Sequence, residues 1–152
     1  MRWAARIVAL LVVIGVGWWL ANRLTVTEEQ RLLRTLSAMQ RAVERNNLLT
    51  LEAYIANDYS DDLGLDKHSL LLAVRNVRMQ YRAFVVLRTD TVTEIAPHAT
   101  HATVTFVAKV LATPTEGAGE IELFTERFRL FFRKQDNAWR LRRVEVPKLT
   151  FE

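Results

Sequence analysis

The spacing of apolar residues changes once along this chain, at Arg82. Before that point apolar side chains recur at three- and four-residue steps, as in Leu32, Leu33, Leu36, Met39, Ala42 and Val43. That spacing lays one stripe along a helix. Leu70, Leu71, Val74, Val77 and Tyr81 form a second such stripe. After Arg82 the period falls to two, with Val, Thr and Phe enriched, which is the signature of strands. A single switch segregates helices from strands. That order builds an α+β domain with an antiparallel sheet, not alternating βαβ units.

Local signals place the boundaries. Thr27-Glu28-Glu29-Gln30 reads as a capping box that opens the first helix. Asn46-Asn47 closes it, since asparagine tolerates the left-handed turn. Thr50 is expected to cap a second, short helix through Ala56, and Asp66 a third from Lys67 to Tyr81. Four strands follow: Ala83 to Ile95, Thr100 to Ala112, one carrying Glu122, Phe124, Glu126, Phe128, Leu130 and Phe132 on one face, and Ala138 to Pro147. In the last strand Trp139 and Leu141 are out of phase with Val144 and Val146, so a β-bulge is expected near Arg142-Arg143. Strands this long twist strongly, and the sheet is expected to curl around the three helices as a cone with one open mouth.

Ahead of this region lies an uncharged run of 15 residues, Ile7 to Ala21, between Arg6 and Arg23. As a helix it spans about 22 Å, short of the roughly 20 residues that usually cross a bilayer. Counting from Trp3 gives 19 residues if Arg6 snorkels to the headgroups. Two readings fit: a retained transmembrane helix over residues 3–21, or a cleaved secretory signal. The flanks favour the anchor, because Trp18 and Trp19 suit the membrane interface and would be unusual directly after a cut. Arg2 and Arg6 precede the span, so the N-terminus is expected to stay cytoplasmic. Residues 24–152 then form one extracytoplasmic domain tethered to the inner membrane.

Charge supports that division. The chain has 21 basic and 17 acidic residues, net +4, but three of the arginines flank the apolar run, which leaves +1 for the rest. Nucleic-acid binding, which wants a clustered basic surface, loses its support. With no cysteine, lipobox lipidation and disulfides are excluded.

The long first helix, the segment Ala56-Asn57-Asp58-Tyr59-Ser60-Asp61-Asp62-Leu63-Gly64 and the late Asn137-Ala138-Trp139-Arg140-Leu141 together resemble the nuclear transport factor 2-like (SnoaL-like) superfamily over about residues 27–147. The resemblance implies a cone-shaped α+β barrel. It does not choose among isomerases, dehydratases and hydrolases, ligand-binding modules and interaction domains, all of which share the fold.

Candidate sites follow from residue type. Enzymes of this fold place Asp, His, Tyr or Arg inside the cone, so Tyr54, Tyr59, Tyr81, Phe124, Phe128 and Trp139 are expected to line a cavity, with Glu122 and Glu126 also facing inward. Glu126, between two phenylalanines, is the best general-base candidate, because a carboxylate on an apolar face has a raised pKa. Tyr59 is the other catalytic candidate. The alternative for Glu126 is a rim carboxylate paired with an arginine. Asp58, Asp61, Asp62 and Asp66 lack EF-hand spacing and read as turn and cap residues, and His98 and His101 lack further ligands. No metal or cofactor is expected. Arg127, Arg129, Arg133, Arg140 and Arg142 share one sheet face: solvated, or a docking surface for a second copy, an envelope protein or anionic lipid. The favoured reading is a membrane-anchored binding or scaffold domain, not an enzyme. A small apolar-ligand binder or enzyme using the cone is the alternative. An open cavity beside Phe124, Phe128 and Trp139 would favour the second, a filled cone the first.

Overall fold

The computed structural model describes residues 11–19 and 27–146. Residues 11–19 are helical with exposed side chains, while the remainder of the expected anchor over 3–21 lies outside the described residues. Among the described residues, no helix is long and apolar enough to cross a membrane.

Helix α1 (Glu28–Glu44) starts at the expected box: Thr27 Oγ1 accepts from the Gln30 amide at 3.2 Å, and Gln30 Oε1 accepts from the Thr27 amide at 3.3 Å. Its stripe buries Leu32, Leu36, Met39 and Ala42. Asn46, at φ 55°, takes the left-handed turn that ends it. Helix α2 (Leu48–Ala53) begins three residues earlier than expected, because Asn47 and not Thr50 is the cap: the Asn47 side-chain oxygen accepts from the Thr50 amide. It also ends early. Residues 54–56 bond to the fourth strand instead of continuing the helix, the Ala56 amide to Leu141 O and the Leu141 amide to Tyr54 O, both at 2.8 Å. Helix α3 (Lys67–Met79) starts at Asp66, whose carboxylate accepts from the Ser69 amide at 2.7 Å.

The strands are β1 (Tyr81–Ile95), β2 (His101–Pro114), β3 (Ile121–Gln135) and β4 (Ala138–Glu145), paired antiparallel in the order β1-β2-β3-β4. Together with the helices they make the expected α+β architecture of four antiparallel strands. On β2 the alternation is complete: Ala102, Val104, Phe106, Ala108, Val110 and Ala112 are buried and the intervening residues are not. Ala102 to Ala108 of that row meet the stripe of α1, Ile55 and the inner residues of β3 and β4 in one main core, while Val110 and Ala112 join Phe84 in a smaller one. Asp136 and Asn137, both at positive φ, make the tight turn between β3 and β4.

Two bulges set which side chains face the helices. On β4 the register skips at Arg142: Phe132 opposes Leu141 and Phe131 opposes Arg143. This is the expected bulge, and it turns Val144 inward opposite Leu130. On β3 the register skips at Leu123, since Val110 opposes Phe124 while Leu111 opposes Glu122. The extra residue sends Leu123 inward, against Phe84, Val110 and Ala112, and moves Glu122 to the outer face. There Glu122 pairs with Lys109 at 3.1 Å and accepts from Thr125 Oγ1 at 2.6 Å. The expectation that Glu122 shares the face of Phe124 is therefore corrected; a bulge reverses the alternation at that point.

Candidate functional site

Between α1, α3 and the inner face of the sheet lies a cavity of about 310 Å³. Its walls follow from the periods of the elements. Leu36, Met39, Gln40 and Val43 come from one face of α1, and Leu70 and Val74 from α3. Phe84, Val86 and Arg88 alternate on β1; Phe106, Ala108 and Val110 on β2; Phe124, Phe128 and Leu130 on β3. Val144 reaches it because of the Arg142 bulge. Phe128 stands between Phe106 and Phe124, with ring centroids 6.0 Å from each. Phe124 is 39% exposed, the most exposed ring of this wall.

Among the described residues, only Gln40 and Arg88 interrupt the apolar lining. Gln40 Nε2 donates to Val86 O at 2.9 Å and to Glu44 Oε1 at 3.2 Å, and Glu44 Oε1 also accepts from the Val86 amide at 2.9 Å. The helix and the edge strand are thereby stitched together by polar side chains at the cavity wall. Burial pushes the Arg88 guanidinium below its ordinary pKa, yet it remains a cation near pH 7. An amide and a guanidinium cannot act as general bases there.

Of the residues expected in the cavity, Phe124 and Phe128 line it; Tyr54, Tyr59, Tyr81 and Trp139 do not. Tyr54 is the C-terminal cap of α2. Tyr59 is buried, and its hydroxyl donates to Asp61 Oδ2 at 2.9 Å. Burial first, and then the Asp61 carboxylate, push its pKa upward, and its hydroxyl is held in the turn and not on the cavity wall. Tyr81 packs on Phe84 in a smaller cluster at the far end of the sheet. Trp139 is buried, with Nε1 donating to Glu28 Oε2 at 3.2 Å and Lys134 Nζ over its ring. Glu126 opposes Ala108, a lining residue, but is itself half-buried and off the lining, with no hydrogen bond or ion pair among the described residues.

The arginine face and the acidic segment form one structure. Arg133 grips Asp58 through two hydrogen bonds of 2.9 and 2.8 Å, which hold the Asp58 carboxyl below its ordinary range. Arg142 lies 3.9 Å from the same carboxylate, and Arg129 lies 3.7 Å from Glu145. Arg140 donates to Ala53 O. Arg127 has no partner among the described residues. Arg143, which the sequence did not single out, reaches Asp62 at 2.5 Å and Glu145 at 3.4 Å and lies over the Phe131 ring. It does so because the bulge gives it the paired position that simple alternation assigns to Arg142. Asp61 accepts from the Leu63 and Leu65 amides and Asp66 caps α3. No group of three or more metal-ligating side chains occurs among the described residues.

No protein-family model and no curated protein sequence matches the chain. Solved structures do. A candidate scytalone dehydratase from Novosphingobium aromaticivorans superposes with a TM-score of 0.70 at 15% identity, over 78% of this chain and 82% of that one. A candidate dehydratase of the nuclear transport factor 2-like family from Streptomyces avermitilis gives 0.68 at 15% identity, over 78% and 94%. A hexachlorocyclohexane dehydrochlorinase of type 2 gives 0.65 at 15% identity, over 76% and 81%. The fold is that of the nuclear transport factor 2-like proteins. At such identities the likeness is one of fold and carries no activity with it.

The sequence reading missed Arg78 as well as Arg88. Arg78 is 7% exposed, and its guanidinium donates to Val43 O at 2.9 Å and to Glu44 O and Tyr81 O at 3.0 Å each. It ties the last carbonyls of α1 to the start of β1, just beyond the cavity. Both residues had a signal. Arg78 sits in the apolar stripe of its helix, four residues after Val74, and Arg88 keeps the inward phase of Phe84 and Val86.

Proposed function

We propose that this chain is a small-molecule binding domain that holds an apolar ligand between its helices and its sheet. The observation that carries this reading is the open apolar cavity of about 310 Å³. It lies at the lower end of the roughly 300–1,000 Å³ typical of ligand pockets. Its aromatic wall and two polar side chains fit the usual pattern of apolar body and few orienting groups. The inward turn of the β3 and β4 bulges and the unfilled interior support a sheet that curls as a cone. Binding is favoured over catalysis because no lining side chain among the described residues gains or loses a proton near neutral pH. It is favoured over docking through the arginine face because acids of this same chain occupy most of those arginines.

Ala108 is the smallest side chain on the β2 wall, and Ala108→Phe would fill the cavity from within. In full-length protein held in lipid nanodiscs, the neutral probe 2-naphthamide should bind saturably to wild type. It should bind at least about tenfold more weakly to Ala108→Phe, measured by calorimetry against empty nanodiscs. Unchanged binding in the variant contradicts the proposal.

We also propose that residues 3–21 tether this domain to the inner membrane with the N-terminus inside. The support is the apolar run flanked by Arg2, Arg6 and Arg23 with Trp18 and Trp19 at its outer end. A tether raises the effective concentration of the domain toward membrane-derived ligands or envelope partners. Full-length protein should stay in the membrane pellet after an alkaline carbonate wash, and a C-terminal alkaline phosphatase fusion should be active. Release into the supernatant, or an inactive fusion, contradicts it.

A further inference from the structure

Arg88 is the only charged side chain on the cavity wall among the described residues. Its guanidinium stands 5.9 Å from the centre of the Phe106 ring, itself part of the wall. Nη1 donates to Gln40 Oε1 and Nη2 to Ser37 Oγ, each at 3.3 Å. Both contacts are long, and both acceptors are neutral. The nearby Glu44 carboxylate does not pair with it; Glu44 Oε1 is spent on the Val86 amide and on Gln40 Nε2. Gln40 Nε2 also donates to Val86 O, and this fixes the amide with its oxygen toward Arg88.

Two bonds to neutral oxygens leave three of the five guanidinium N–H donors unused. Arg78 makes the contrast, since its charge is spread over three backbone carbonyls. Arg133 and Arg143 meet carboxylates directly. A half-buried cation that cannot shed its proton is costly beside apolar walls unless an anion compensates it. Among the described residues no carboxylate lies within ion-pair distance of it.

The geometry points to a ligand with an apolar body and a single carboxylate, the body lying among Phe106, Phe128 and Leu130 and the carboxylate on the open edge of Arg88. A planar carboxylate matches one guanidinium through two parallel hydrogen bonds. A phosphate dianion would bring a second charge that no other cation on the wall meets. This inference rests on the reading of the cavity as a ligand site and adds the class of ligand.

The test compares 2-naphthoate with 2-naphthamide, which share one fused-ring body and differ in the charge of the head group. Full-length protein in lipid nanodiscs is titrated with each by calorimetry, with empty nanodiscs as the blank. The carboxylate should bind about tenfold more tightly than the amide, as a charge-assisted pair allows. Arg88→Met should abolish that preference and bring the two affinities together. Arg88→Lys, which keeps the charge and loses the fork, should retain part of it. Equal affinities in the wild type, or a preference that survives Arg88→Met, overturn the role of Arg88 and leave the apolar site standing. Should Arg88→Met fail to fold, the wild-type ratio and Arg88→Lys decide, and full preference in Arg88→Lys overturns the fork. Binding of neither ligand overturns the site and the inference together.

Discussion

Arg78 shows how one side chain can hold two elements in place. Its three hydrogen bonds satisfy carbonyls of Val43 and Glu44, which end α1, and of Tyr81, which opens β1. Its guanidinium carbon also lies 5.2 Å from the centre of the Phe84 ring. Arg78→Met keeps most of the apolar stem and removes every donor. It should cost about 2–3 kcal/mol in urea denaturation, because the Glu44 and Tyr81 carbonyls then lose the guanidinium, while Val43 O keeps the Asn46 amide. A loss below about 0.5 kcal/mol would show that water replaces the guanidinium without penalty. The position was legible only as an exception. A charge in an apolar helical stripe reads as a flaw in the pattern, and nothing in sequence says which carbonyls it meets. Tyr59 and Trp139 erred the other way: aromatic type suggested a cavity wall, while partners distant in sequence, such as Glu28 for Trp139, turned them into core.

At the level of elements, helices and strands were legible because each has one apolar face and the periods differ. The β4 bulge was legible too, since Trp139 and Leu141 are out of phase with Val144. The β3 bulge was not. Glu122 continues the alternation of Phe124 and Phe128, so nothing in the sequence marks Leu123 as the extra residue, and only pairing with β2 decides it. The segment between α2 and α3 makes a prediction of its own. The Arg133 hydrogen bonds hold the Asp58 carboxyl below the ordinary aspartate range, and the Ser69 amide does the same for Asp66. A carboxyl depressed in the folded state contributes stability in full above its unfolded pKa. That contribution is lost as pH falls through the folded pKa. The melting temperature should therefore be level above about pH 5 and fall below about pH 4, with a shallower acid limb in Asp58→Asn. An Asp58→Asn acid limb as steep as that of wild type would remove this segment from the acid response.

For the whole molecule, two features that look independent in sequence turn out to be complementary. The aspartate-rich segment reads as turn and cap residues and the arginine rows suggest a partner, yet Asp58 and Asp62 meet Arg133 and Arg143 across the surface. Exposed pairs of this kind contribute about 0–1 kcal/mol each, so they set the position of the segment more than the stability of the fold. With those charges paired, the uncompensated chemistry moves inside, to an apolar cavity with Arg88 on its wall. Methyl-resolved NMR of full-length protein in nanodiscs tests that placement most directly. On titration with 2-naphthamide, the methyls of Val74, Ala108, Val110 and Leu130 should shift together and saturate, while those of the exposed Leu49 and Leu63 stay still. Shifts confined to surface methyls, or none at all in the lining residues, would contradict a ligand site inside the fold.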